Sequence, residues 1–337
     1  MGKRNKPGEV LQAEPSIVKF SQSKVKTWRR CHAAYHYRYN EEITTKRPAK
    51  PLIFGKIVHE ILEHGQSKMM EILEHYAEKY DDLFIEEQEK FGNIIDDIHD
   101  ICTEYFIHYK NEEYKPYKID GVDRELELNV MVAPGIVFNG KIDRLVKHKG
   151  KNYLLEQKTF KRMPDESHRW RDMQTALYVR ALKLMGHDID GVIWDYICSK
   201  PPSVPQILKN GEFSTRPITT LPTTLKRFAK HTKVDVPQAM MDAAKASRSS
   251  YFFRFTYPVK RSIADLLMQE FIESARQIKD IGSSSRVMNI SRECTFCEYE
   301  PLCRAVLGGL DVDFIKEKQY QRREPTHKAI ETDEDAD

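Results

Sequence analysis

Between Phe138 and Thr159 the chain reads FNGKIDRLVKHKGKNYLLEQKT, and the alternation on either side of Lys149-Gly150 dictates a β-hairpin. Strands over Ile136–Val146 and Tyr153–Phe160, joined by a two-residue turn at Lys149-Gly150, fix the register. A slip of one residue would turn every side chain to the opposite face. In that register Asp143 lies opposite Glu156, at a Cβ separation of about 5 Å, where like charges repel. Lys158 stands two residues beyond Glu156 and therefore shares its face. In a chain with 31% charged residues, Glu-x-Lys alone is commonplace; the opposition to Asp143 sets this one apart. Two carboxylates held together are tolerable when a cation lies between them, and hard oxygen ligands suit Mg²⁺ or Mn²⁺. A neighbouring ammonium can orient or help deprotonate a water for attack on phosphorus.

The elements around the hairpin follow from periodicity. Ser21 or Ser23 can cap a helix that carries Val25, Trp28, Arg29 and Cys31. Phe54–Gly65 reads as a helix with Ile57, Val58, Ile61 and Leu62 as its apolar stripe, which leaves His59 off the stripe beside Glu63. Residues 66–115 read as a helical insertion. Leu126, Leu128 and Val130 alternate with Glu125, Glu127 and Asn129, as a half-buried strand does. Ser167 can cap a helix with Trp170, Met173, Leu177, Ala181 and Leu184 on its apolar face, and Val192–Ile197 reads as a further strand. Residues 200–235 look loop-rich, with helical patterns at 236–248 and 259–280. The order implies a mixed α/β chain: a central sheet flanked by helices, a basic disordered lead-in over 1–15, one domain over 16–310 with its core near 120–200, a loop-rich insertion over 200–250, and a charged solvated tail over 311–337.

Composition narrows the setting. Forty per cent apolar residues can bury a real core, and no apolar run approaches the roughly 20 residues needed to cross a bilayer. The start, MGKRNKPGEV, has no signal-like apolar stretch, so a soluble cytoplasmic protein without a membrane partner is expected. A net charge of +3 permits nucleic-acid binding without arguing for it, since the basic residues would have to be segregated into a groove.

Cys294-x-x-Cys297-x₅-Cys303 is a compact thiolate cluster. Three thiolates leave a tetrahedral metal site one ligand short, and Cys31 is the natural fourth. Four thiolates suit either zinc or an iron–sulfur cluster. Either would tie together positions about 260 residues apart, a closure worth on the order of 5–6 kcal/mol. Cys102 and Cys198, in apolar surroundings, read as buried free thiols.

Taken in order, Gly55-Lys56-Ile57-Val58-His59, Gly140-Lys141-Ile142-Asp143, Glu156-Gln157-Lys158 and the Gln174-x-x-x-Tyr178 spacing resemble the RecB-type branch of the PD-(D/E)XK nuclease superfamily. That resemblance implies a restriction-endonuclease-like core. It implies that His59, Asp143, Glu156 and the backbone carbonyl of Gln157 bind the divalent metal and that Lys158 assists the attacking water. It implies that the helix bearing Gln174 and Tyr178 faces DNA, with Arg171 and Arg169 in reach of phosphate. The family's further strand carboxylate corresponds to Glu125 or Glu127, with Glu125 preferred. One cysteine before the histidine motif and three after the core resemble the iron–sulfur members of the branch, such as AddB-type subunits and CRISPR-adaptation exonucleases. This favours a [4Fe-4S] cluster on Cys31, Cys294, Cys297 and Cys303 over structural Zn²⁺, with stapled terminal regions. The expected activity is metal-dependent exonuclease action on single-stranded DNA ends in recombination, repair or phage DNA processing, with a helicase or recombinase as a possible partner. A non-catalytic DNA-end-binding scaffold and a structure-specific endonuclease are the alternatives.

Overall fold

The computed structural model describes residues 16–46, 49–81, 92–170, 172–214 and 216–323. The basic lead-in over 1–15, the end of the charged tail and Arg171 lie outside the described residues.

The hairpin forms as its pattern requires. Strands β5 (Ile136–His148) and β6 (Lys151–Phe160) turn at Lys149 and Gly150, which both take positive φ, 48° and 80°. That is the backbone a two-residue hairpin turn with right-handed twist demands, and glycine supplies half of it without strain. The ladder runs from His148↔Lys151 to Arg144↔Leu155. β5 is long enough to serve two halves of the sheet. Its first half pairs parallel with β1 (Val18–Ser21) and antiparallel with β4 (Arg124–Ala133), and its last residues pair with β6 and the short β3 (Lys115–Pro116). β6 continues parallel to β7 (Gly191–Cys198), and β7 pairs antiparallel with β8 (Phe252–Tyr257) at the end of the sheet.

Helices cover both faces, as a mixed sheet with buried strands needs. On one face α1 (Gln22–Arg30), α5 (Met173–Leu184) and α8 (Arg261–Ile281) enclose Phe20, Trp28, Phe138, Ile142, Leu154, Leu177, Trp194 and Phe271. On the other, α2 (Lys50–His64), α3 (Met69–Asp81) and α4 (Ile94–His108) pack Ile57, Ile61, Ile72, Ile98 and Ile101 against Ile197 and Phe252. Of the two caps the sequence allows, Ser21 is the one used, accepting from the backbone N–H of Lys24.

Several elements differ from the sequence reading. β1 and β8 were expected as no strand: β1 is four residues long, and β8 sits between two helical patterns. Within the stretch expected to be loop-rich, Pro222–Thr232 forms α6, which is followed by α7 (Gln238–Ser247). Ser167 does not cap α5. A separate turn, Glu166–Trp170, ends before it, and Asp172 caps it by accepting from the Thr175 N–H at 2.9 Å. Part of the expected solvated tail is ordered, because residues after α9 (Glu300–Gly308) form α10 (Val312–Gln319) and β9 (Tyr320–Arg322). β9 pairs antiparallel with β2 (Ile43–Thr45), and Ala33, Ala34, Tyr37, Tyr299, Leu302 and Tyr320 share a small core there. Apolar contact and strand pairing therefore join the two terminal regions.

Candidate active site

Asp143 sits where β5 and β6 part. One residue past the last ladder pair, its Oδ2 accepts from the backbone N–H of Gln157 at 2.8 Å, taking the place that a strand carbonyl would otherwise fill. The predicted register thus holds, and Asp143 and Glu156 come to the same cleft. Glu156 is 1% exposed, and its Oε1 receives Lys158 Nζ at 2.5 Å. Its Oε2 is buried and has no hydrogen-bond partner among the described residues. A buried anionic oxygen left unpaired is costly, on the order of 1–3 kcal/mol or more.

The electrostatics follow from this burial. Desolvation pushes the Glu156 carboxyl up to about 7; the Lys158 charge opposes the rise and the Asp143 charge adds to it. Burial likewise lifts Asp143 to about 6, against the pull of Lys158 and the Gln157 N–H. Burial alone would lower Lys158, but the two carboxylates outweigh it and hold the ammonium above its ordinary range. At neutral pH Lys158 is therefore charged, suited to donating hydrogen bonds and stabilising negative charge and not to acting as a free base. His59 projects from α2 with Nδ1 3.9 Å from Asp143 Oδ1, too far for a hydrogen bond. Burial and the Lys158 charge hold His59 below its usual value, so its ring is neutral and able to ligate.

Lys158 is steered from the helix side. Its Nζ lies 3.3 Å from Gln174 Oε1, and Gln174 Nε2 donates to the Tyr178 hydroxyl at 3.1 Å. Tyr178 is 5% exposed. The Gln-x-x-x-Tyr pair thus forms a hydrogen-bonded link to the lysine, with Tyr178 itself buried. The tyrosine also explains Gly140: a Cβ there would stand 2.5 Å from the Tyr178 Cε1.

Glu125 reaches the cleft half-buried, whereas Glu127 is exposed. Glu125 takes a positive φ of 49° and is held at 2.5 Å by Lys141, which lies 3.4 Å from Glu63. Glu63 and Lys141 had no role in the sequence reading, although Lys141 lies inside a glycine-led motif and Glu63 one helical turn after His59. A second group was also missed. In fully buried β7, Asp195 accepts from the Tyr105 hydroxyl at 2.5 Å and from Arg254 at 2.9 Å, and Arg254 pairs in turn with Glu112. An aspartate inside an otherwise apolar strand run, VIWDYIC, was the available signal, since buried charge must be paired.

Apart from this cleft, Cys31, Cys294, Cys297 and Cys303 line one cavity of about 190 Å³. Cys31 caps the turn after α1 in an extended conformation and is not inside the helix as expected. Burial raises the Cys303 thiol to about 11, and the other three cysteines add to the rise, which reflects their closeness. Cys102 and Cys198 are buried elsewhere as free thiols. Among the described residues no group of three or more His, Cys, Asp or Glu side chains is drawn into coordinating geometry.

The donors nonetheless suit the two inorganic groups that the motifs imply. Glu156 offers an orphaned oxygen beside Asp143, hard donors that suit Mg²⁺ or Mn²⁺, with a neutral imidazole as a borderline nitrogen donor next to them. Four cysteines on one cavity are soft thiolate donors, a set that suits either zinc or an iron–sulfur cluster.

The model of the PD-(D/E)XK nuclease superfamily matches residues 19–304, nearly the whole chain and every residue of this site. The chain belongs to that superfamily. Members are usually metal-dependent nucleases, commonly using Mg²⁺ or Mn²⁺, and DNA is the substrate a domain of this superfamily implies. No curated protein matches the sequence. A solved structure described as the crystal structure of SSO0001 aligns over 88% of both chains at 15% identity and a TM-score of 0.31, too loose a likeness to carry an argument. Among the described residues no helix is long and apolar enough to cross a membrane.

Proposed function

We propose that this superfamily member is an exonuclease that hydrolyses DNA from single-stranded ends with Mg²⁺ or Mn²⁺, and that it carries a structural [4Fe-4S] cluster. The observation that carries the nuclease reading is the buried Glu156 with one oxygen on Lys158 and the other unpartnered, beside Asp143. Asp143, Glu156 and His59 would hold the cation, with Glu125 near enough to add a carboxylate if Lys141 releases it. A bound divalent ion would neutralise charge that accumulates on the phosphate oxygens.

The remaining roles belong to the chain. Lys158, fixed by Glu156 and Gln174, presents a charged N–H to the scissile phosphate or to the water that attacks it. Gln157 keeps Asp143 in place through its backbone N–H, so the carboxylate does not have to be ordered when substrate arrives. Cys31, Cys294, Cys297 and Cys303 would hold the cluster and clamp the N-terminal helix to the C-terminal segment. Four thiolates suit either metal, and the resemblance to the iron–sulfur members of the branch favours a cluster over a lone Zn²⁺. A role in recombination, repair or phage DNA processing, beside a helicase or recombinase in the cytoplasm, completes the proposal.

The test compares end-labelled linear and circular single-stranded DNA, with Mg²⁺, Mn²⁺ or EDTA. Metal-dependent loss of the linear strand with survival of the circle supports the proposal. Cutting of the circle would make the enzyme an endonuclease, and binding without degradation would make it a scaffold.

A further inference from the structure

The parallel and antiparallel registers around β7 align two rows of side chains that begin in the active site and end at the last strand of the sheet. Glu156 is paired with Trp194, and Trp194 with Phe255; Lys158 is paired with Tyr196, and Tyr196 with Phe253. Adjacent strands lie about 4.8 Å apart, so Phe253 and Phe255 stand roughly 10 Å from the catalytic residues on the same face. Trp194 and Tyr196 are buried and stacked on each other at 5.9 Å, which makes them a rigid floor. Phe253, Phe255 and Tyr257 are only half-buried. Phe253 and Phe255 lie 6.5 Å apart with planes 3° from parallel, the spacing of alternate residues on a strand.

We propose that Phe253, Phe255 and Tyr257 form a stacking platform for the bases of a single DNA strand whose phosphate lies at Glu156 and Lys158. This rests on the nuclease reading and names how that site would engage its substrate. Three observations point to nucleobases as the occupant. The platform is continuous with the catalytic face through the two cross-strand rows. The guanidinium of Arg169 already lies over the Phe255 and Tyr257 rings, at 4.8 and 4.9 Å, and donates to the Tyr257 hydroxyl at 3.1 Å. A base is a flat group that seats on the same ring faces, and a guanidinium displaced by it remains beside the strand's phosphates. Exposed Lys161 and Arg162 follow directly from Phe160, whose ring packs edge-on against Phe253 at 5.9 Å, so cations flank the rings as a polyanion requires. Because every base has a π-face, the platform would accept single strands without reading their sequence.

The test is equilibrium binding of the full chain, prepared anaerobically and held in EDTA, to a short oligothymidine and to an abasic strand of equal length. The platform predicts that the abasic strand binds about 5- to 150-fold more weakly, the range for loss of one stacked base. It also predicts that Phe255→Leu, which keeps an apolar side chain in the sheet, removes that preference while leaving abasic binding unchanged. Equal binding of the two strands by the wild-type protein, with Mg²⁺-dependent cleavage intact, would overturn the platform and leave the nuclease reading standing. Failure to bind or cleave either strand would overturn both.

Discussion

Asp143→Asn isolates the cost of the carboxylate cleft. Asparagine keeps an oxygen that can accept from the Gln157 N–H but removes one of the two negative charges. The Asp143 carboxyl titrates near 6 in the folded protein against an ordinary 3.8, a rise caused first by burial. At 1.36 kcal/mol per unit, that rise corresponds to about 3 kcal/mol of strain once the group is ionised. Lys158 shares the charge balance, so a single substitution should recover about 1–3 kcal/mol. Between about pH 4 and 6 the folded state holds the proton that the unfolded chain has already released, so wild-type stability falls as pH rises through that window. The variant should therefore equal the wild type below about pH 4 and exceed it above about pH 6, by roughly 1–4 °C in melting temperature. Thermal unfolding in EDTA across pH measures this. Saturating Mg²⁺ should reverse the order, because only the intact site gains binding free energy in the folded state. A variant less stable than wild type at about pH 8 in EDTA, or a gap that does not change with pH, would refute the reasoning.

Other outcomes follow from the same geometry. Lys158→Ala should abolish cleavage while leaving DNA binding measurable, and retained hydrolysis would remove the lysine from the chemistry. Gly140→Ala pushes a methyl into the Tyr178 ring and should cost about 1–3 kcal/mol with a loss of activity through Gln174 and Lys158, read by melting and by turnover. Arg254→Ala leaves Asp195 buried without its ion partner and should cost about 3–5 kcal/mol in denaturant unfolding. Cys297→Ser should bleach the brown colour expected of an iron–sulfur protein, yet the β2–β9 pairing should keep the terminal regions associated in limited proteolysis.

The legible parts of this molecule were those set by local period. The β5–β6 turn needs positive φ at Lys149 and Gly150, and the Gly150 position announces it, so the opposition of Asp143 and Glu156 could be read directly. The apolar stripe of α2 likewise left His59 off the buried face, although only its place in the motif series pointed it to Asp143. What escaped was set by distant partners. β1 is a strand because β5 offers it an edge, and its four residues carry no period of their own. β8 depends in the same way on β7. The cap of α5 was misplaced because Ser167 and Asp172 both suit an N-cap, and only the chain's path chooses Asp172. The i, i+4 spacing made Gln174 and Tyr178 neighbours but left the burial of Tyr178 open, because it does not show which way the face points. The ordered segment 312–322 reads as charged and solvated until Ile43–Thr45 supplies its pairing partner.

The central claim is that Asp143 and Glu156 are held together for a divalent cation, and Mn²⁺ titration by calorimetry tests it most directly. In metal-stripped protein near pH 6, where Glu156 is still largely protonated, binding should release protons, and the heat should vary with the ionisation enthalpy of the buffer. Glu156→Gln should lose both the binding and the proton release. Mn²⁺ binding of unchanged strength in that variant, or none in the wild type, would contradict the account.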